Sequence, residues 1–477
     1  MLFNSLHFLI FIPIVLILYF KTAHKYRWIV LLTASLYFYM TWNAKYIVLI
    51  LFSSIIDYFV AHQLDKTNEI RTRKFLLAIS IISNLGLLFT FKYFNFFADS
   101  FSKIFSLPPT IINVILPVGI SFYTFQALSY TIDVYKKEIK AEKHFGIFLI
   151  FITYFPQLVA GPIERAKNLL PQFFEKHSFS YDKFTNGLML VLWGFFKKIV
   201  IADRVAVLVN AVYNSPTDYT GIPLILATIL FAFQIYCDFS GYSDIAIGVA
   251  RMMGFRLMTN FKRPFLATSI ADFWKRWHIS LSTWFRDYLY FPLGGNRVKV
   301  YRWYANLFLV FVVSGLWHGA NWTFVIWGAL HGFYLVFSIM TYNIRTLIAN
   351  KIGITKFPKI HYFFKILVVF SLSTFSWIFF RANNVSDAFY IISHLFKGLT
   401  LDTAGLNLGG IGMQGLMISF IFIIMMEIIQ FVQEKRSIIG LVVKYPMWTR
   451  WTAYVSLMLI ILLFGIFEST QFIYFQF

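Results

Sequence analysis

Residues 221–250 read GIPLILATILFAFQIYCDFSGYSDIAIGVA. The run carries only two charges, Asp238 and Asp244, and about 20 apolar residues suffice for an α-helix to cross the hydrocarbon core of a bilayer. Similar runs fall near 5–20, 28–42, 46–64, 75–97, 111–132, 145–160, 184–210, 303–317, 321–342, 362–380, 412–432 and 452–474. Some are short, and charge or proline interrupts others, so the pattern predicts roughly 11–13 transmembrane or re-entrant helices. No stretch between them is long enough for a soluble domain. The expected fold is an all-α polytopic membrane protein forming one integral membrane domain over 1–477.

Composition excludes the other classes. Of 477 residues, 59% are hydrophobic and 13% charged, with a mean hydropathy of +0.68. A soluble domain has about 25% charged residues, and disordered chains are more polar still. The net charge of +21 reads as basic loops between apolar runs rather than a nucleic-acid surface, since no recognition module accompanies it. A single cysteine, Cys237, excludes an intramolecular disulfide framework and a multi-cysteine metal site. The first residues lack a basic leader and a small-residue cleavage site, so they are expected to be a retained span. The basic segments 21–27, 65–74 and 136–143 alternate with near-neutral turns such as 41–44. This predicts that they share the cytoplasmic side, with the N-terminus outside.

Ionisable groups at membrane depth are costly and therefore informative. Asp238 and Asp244 each cost about 2.5–3.5 kcal/mol on insertion scales, so each is expected to face a cavity or to pair with Lys or Arg from another helix. Their spacing of six puts them about 120° apart on a helix, which disfavours a shared-proton pair. A structural network and substrate contact both remain open. The segment 271–290, ADFWKRWHISLSTWFRDYLY, reads as an amphipathic helix with Trp274, Trp277, Leu281 and Trp284 on one face and Lys275, Arg276 and Asp287 on the other. Such a helix suits the membrane interface. His278 lies on the edge between the faces with Ser282 one turn on, either as an interfacial histidine or lining a reaction cavity. His318 and His331 lie 13 apart in SGLWHGANWT and VIWGALHG. On one continuous helix they would be roughly 140° and 20 Å apart, which excludes a two-histidine metal site there.

Together these segments resemble the membrane-bound O-acyltransferase family, in its bacterial polysaccharide-acylating branch of alginate acetylation and teichoic-acid D-alanylation proteins. The resemblance rests on LPVGISF (116–122), PQLVAGPI (156–163), CDFSGYSD (237–244), FWKRWHISLS (273–282), WFRDY (284–288), GLWHG (315–319) and WIFFRA (377–382). It implies a ring of helices around a central funnel, with the family core at about 110–400. It also implies a catalytic histidine at His318, a second, more variable histidine position at His278, and a branch histidine at His331. Neutral imidazole can take the proton of an alcohol as an ester forms, so His318 is the expected general base. His278 is expected to orient a substrate or stabilise charge. Asn321 or a backbone N–H near Gly319 is an open guess for the oxyanion donor. Trp317, Trp277, Ser282, Asp238, Asp244 and His331 are candidate cavity-lining residues.

The resemblance implies no tightly bound cofactor or metal, and a thioester acyl donor, acetyl-coenzyme A or an acylated carrier protein. Lys262, Arg263, Lys275 and Arg276 are candidates for attracting donor phosphates, or equally serve as positive-inside anchors. The expected partners are the lipid bilayer and an extracytoplasmic acetyltransferase or polysaccharide acceptor, with no nucleic acid. The expected location is a bacterial inner membrane. The alternatives are transfer of D-alanine or a longer acyl group, or a non-enzymatic transporter of polysaccharide or lipid-linked sugar that would not need His318.

Overall fold

The computed structural model describes residues 1–108, 111–159, 161–399, 412–435, 446–467 and 472–473. These residues are helical throughout their ordered elements, with no strand among them. Eight helical stretches among them are long and apolar enough to cross a membrane. One of these, His24–Lys66, is two helices joined at Ala44–Tyr46, and Leu6–Lys21 and Phe145–Leu158 are shorter apolar helices. With that pair counted separately and the two shorter helices included, the described residues hold 11 apolar helices, within the expected 11–13, and three runs are interrupted locally. The run from 111 starts its helix only at Ile120, after Pro117 and a left-handed Gly119 at φ 76°. A Cβ at Gly119 would stand 2.8 Å from the Leu158 carbonyl oxygen. The run from 145 breaks at Tyr154, two residues before Pro156. The 184–210 run carries Lys197, Lys198, Asp203 and Arg204 through a π-helical segment, Phe196–Ala202.

The chain divides into two compact units, Met1–Leu192 with Tyr242–Thr259, and Trp193–Gly241 with Asn260–Phe477. In the first, Asp57 is fully buried and ties three helices together. It accepts from Ser80 Oγ at 2.5 Å, Asn84 Nδ2 at 2.8 Å and Thr131 Oγ1 at 3.3 Å. Three acceptor contacts offset the cost of a carboxyl in apolar surroundings. The basic loops meet. The Arg73 guanidinium donates to the Tyr135 carbonyl at 2.5 Å, and Lys137 Nζ donates to Asn68 Oδ1 at 2.8 Å. Segments 65–74 and 136–143 therefore occupy the same end of this unit.

Glu164, between helices, is also fully buried. Its Oε1 accepts from the Met258 N–H at 2.5 Å, while Oε2 has no hydrogen-bond partner among the described residues. Burial pushes this carboxyl up to about 8, against the opposing pull of the Met258 N–H and the Arg165 charge.

In the second unit the helices Val300–His318 and Trp322–Met340 form a hairpin. Glycines set its closeness. A Cβ at Gly315 would meet the Phe324 carbonyl oxygen and stand 3.1 Å from Gly328 Cα, and one at Gly328 would meet the Phe311 carbonyl oxygen. Small residues at facing positions let helix backbones approach in this way. The stretch 271–290 departs from the expected single interfacial helix. It is two short helices, Ile270–Arg276 and Ile279–Phe285, followed by a π turn, Arg286–Tyr290. Trp277 N–H closes the first helix onto the Phe273 carbonyl at 2.8 Å, and His278 turns left-handed at φ 42°. Trp274, Trp277, Leu281, Trp284 and Phe285 are buried in protein, not laid on a lipid surface.

Two outcomes follow. Gly328→Leu forces side-chain atoms against the Phe311 carbonyl and is expected to cost more than the about 1–3 kcal/mol of ordinary overpacking, read as a lower melting temperature in detergent and loss of membrane-extractable protein. Glu164 has a raised folded pKa, so its stabilising contribution is present below about pH 4.5 and lost as pH rises through about 8. Glu164→Gln is therefore expected to match the parent's melting temperature at pH 5 and exceed it at pH 9.

Candidate active site

The hairpin turn places one histidine at the end of a helix and returns the next beside it. His318 is the last residue of Val300–His318, and the chain breaks at Gly319 in extended backbone. Asn321 then caps Trp322–Met340, its Oδ1 accepting from the Thr323 N–H at 3.0 Å. Because the helix stops at His318, the separation computed for one continuous helix does not apply. His318 and His331 both stand 5.0 Å, centroid to centroid, from the Trp327 ring.

His278 arrives from the left-handed break between the two short helices. Its ring lies 6.3 Å from that of His318 and 6.1 Å from that of Trp317. His278 and His331 are fully buried and His318 nearly so. Phe380 adds a wall 5.4 Å from His318. Trp277 packs 5.0 Å from Trp377, which in turn stacks 5.4 Å from Trp327. The indole N–H groups of Trp274, Trp277, Trp327 and Trp377, and both nitrogens of His331, have no hydrogen-bond partner among the described residues. A packed aromatic cluster with that many buried donors is unusual, since buried polar groups are nearly always paired.

His278 lies outside the membrane-spanning helices. Burial beside Phe239, Phe261 and Trp317 pushes its imidazole well below the ordinary histidine range, to about 3, so the ring is neutral near pH 7. Its Nδ1 is 3.1 Å from Asn260 Oδ1. Asn260 was not among the residues singled out from the sequence. It carries no charge and belongs to no periodic face, and it lies 18 residues from its partner, so the sequence gives no signal for it.

The remaining candidates separate. Asp238 belongs to a buried ion cluster: Lys198 Nζ is 2.6 Å from Asp238 Oδ1 and 2.8 Å from Asp203 Oδ1, and the Ile473 N–H donates to Asp238 Oδ2 at 2.7 Å. Asp244 falls in the other unit and is half-buried. Ser282 is half-buried and donates to the Trp277 carbonyl at 3.4 Å. Asn321 Nδ2 donates to the Asn383 carbonyl at 3.1 Å. With Oδ1 engaged in the helix cap, both ends of this amide serve the turn rather than an oxyanion. Of the four basic candidates, Arg263 and Arg276 are ion-paired with Glu434 at 2.7 Å and 3.0 Å, and Arg276 also with Asp272 at 2.9 Å. Lys262 and Lys275 are exposed.

Residues 29–382 match the family model of membrane-bound O-acyltransferases. The chain is 39% identical over 414 residues to the probable alginate O-acetylase of Pseudomonas aeruginosa, covering 85% of this chain and 77% of the relative. It is 37% identical over 391 residues to the peptidoglycan O-acetyltransferase of Helicobacter pylori, covering 76% and 72%. Similarity to the teichoic acid D-alanyltransferase of Bacillus subtilis is 30% over 235 residues, covering 46% and 58%.

The buried cluster gives a stability test. Lys198→Met strands two buried carboxylates and is expected to cost about 3–5 kcal/mol, seen as loss of folded protein from membranes. Adding Asp203→Asn and Asp238→Asn is expected to restore most of it, by the fraction that remains monodisperse after extraction.

Proposed function

The chain belongs to the membrane-bound O-acyltransferase family, and on that premise we propose that it moves an acetyl group from a cytoplasmic thioester across the membrane for O-acetylation of an exported or cell-envelope polysaccharide. The observation that carries the mechanism is the meeting of His318 and His278 in one buried, tryptophan-rich cluster, their rings 6.3 Å apart. His318 acts as general base. It takes the proton of an acceptor hydroxyl as that oxygen attacks the acyl carbonyl carbon, and the proton leaves with the departing thiolate. His278 orients a substrate or stabilises the developing charge. Acetyl-coenzyme A or an acylated carrier protein supplies the thioester. The immediate acceptor is a hydroxyl of the polysaccharide or of an extracytoplasmic partner acetyltransferase. The exposed Lys262 and Lys275 are the better placed of the four basic candidates to attract donor phosphates, because Arg263 and Arg276 are already neutralised by carboxylates. This reading sets the protein in a bacterial cytoplasmic membrane, with the thioester pool on one face and the exported polysaccharide on the other.

Acetyl is favoured over D-alanine by the breadth of the likeness. The acetylating relatives named above match 76–85% of this chain, whereas the D-alanyl relative matches 46%.

His318→Ala is expected to lower ester-linked acetyl on purified envelope polysaccharide by about 100-fold or more, the scale of a lost general base, at unchanged membrane level of the protein. Undiminished esterification sinks the mechanism. Mass analysis of the alkali-released acid checks the group itself, and D-alanine or a longer acid in place of acetate overturns the acetyl assignment.

A further inference from the structure

We propose that Asn260 is a positioning residue that locks His278 into the tautomer carrying its proton on Nδ1. This rests on the reading of His278 as part of the reaction site. The identity of the Asn260 atom is fixed by its neighbours. Asn260 Oδ1 lies 3.4 Å from the Ser280 backbone N–H, 2.9 Å from Ser280 Oγ and 3.1 Å from His278 Nδ1. A backbone N–H only donates, so the atom it meets is the carbonyl oxygen of the side chain and not the amide nitrogen. An oxygen there accepts from His278, and Nδ1 must bear the hydrogen. In a neutral ring Nε2 is then the lone-pair nitrogen.

The same residue templates the backbone. The Ile279 N–H donates to the Asn260 carbonyl at 2.9 Å, and the Lys262 N–H donates to the Arg276 carbonyl at 2.8 Å. Segment 260–262 thus clamps 276–280 from both sides of His278. That clamp holds His278 at φ 42°, a left-handed conformation that non-glycine residues seldom adopt. The fully buried Asn260 side chain holds the ring's orientation and tautomer, and the backbone of 260–262 holds the strained main chain.

The test uses the full chain. Asn260→Asp keeps an acceptor for Nδ1–H, whereas Asn260→Leu keeps the branched shape and removes the acceptor. His278→Asn keeps a residue that tolerates the left-handed backbone. Ester-linked acetyl per folded membrane protein is expected to fall at least about tenfold in Asn260→Leu, the scale for loss of a residue that orients an imidazole, and to be rescued to within about threefold by Asn260→Asp. The double variant Asn260→Leu/His278→Asn is expected to match His278→Asn alone, because Asn260 acts through the ring. Multiplicative losses overturn the proposal.

Nitrogen NMR of protein with 15N-labelled histidine, with His278 assigned by its disappearance in His278→Asn, reads the tautomer without any reaction. A protonated Nδ1 in the parent and in Asn260→Asp, and a changed ring in Asn260→Leu, is the expected result. A protonated Nε2 in the parent overturns the assignment. Should His318→Ala leave acetylation intact, the acyl-transfer mechanism fails while the NMR result still decides the tautomer.

Discussion

Two helix backbones touch at Gly315 and Gly328, and the candidate site depends on that approach. The pairing of Val300–His318 with Trp322–Met340 leaves no room for a Cβ at either position. The tight hairpin allows His318 at the end of one helix and His331 three turns into the next to share Trp327 between them. Larger residues would spread the helices and with them the aromatic cluster. In a membrane, where lipid competes on equal terms for apolar surface, close packing of small residues is one of the few forces that bring helices together.

Around that hairpin the polar groups follow a division of labour imposed by the low dielectric. Two groups of charges in the second unit are ion-paired, Lys198 with Asp203 and Asp238, and Arg263 and Arg276 with Glu434. His278 and the indole N–H groups near it carry no charge near pH 7. Neutral donors and acceptors cost less to bury than ions, and an uncharged imidazole is the form that can accept a proton. The aromatic cluster therefore concentrates hydrogen-bonding capacity without concentrating charge.

Much of this was readable in the sequence, and the parts that were not share a cause. Hydropathy identified the all-helical membrane class, and the tryptophan–histidine strings identified the family that residues 29–382 match. Periodicity misled over 271–290, because a helical wheel assumes the continuity that the left-handed His278 breaks. The spacing of His318 and His331 on one continuous helix likewise does not describe them, because the helix ends before Gly319. Apolar content also continued through Pro117, Pro156 and the Lys197–Arg204 charges, where the helices start late, break or turn π-helical. Asn260 escaped altogether: its contact with His278 comes from a loop folding back onto residues 18 positions away, and neither hydropathy nor charge marks such an encounter.

The Lys198 cluster also has a history in time. Asp238 is completed by the backbone N–H of Ile473, 235 residues downstream. A ribosome that has just delivered the Ile222–Met252 helix has not yet made the donor that finishes it. Through the synthesis of the whole hairpin, this carboxylate can have Lys198 but not its last hydrogen bond. The full set of partners for Asp238 therefore exists only once the chain has been made through residue 473.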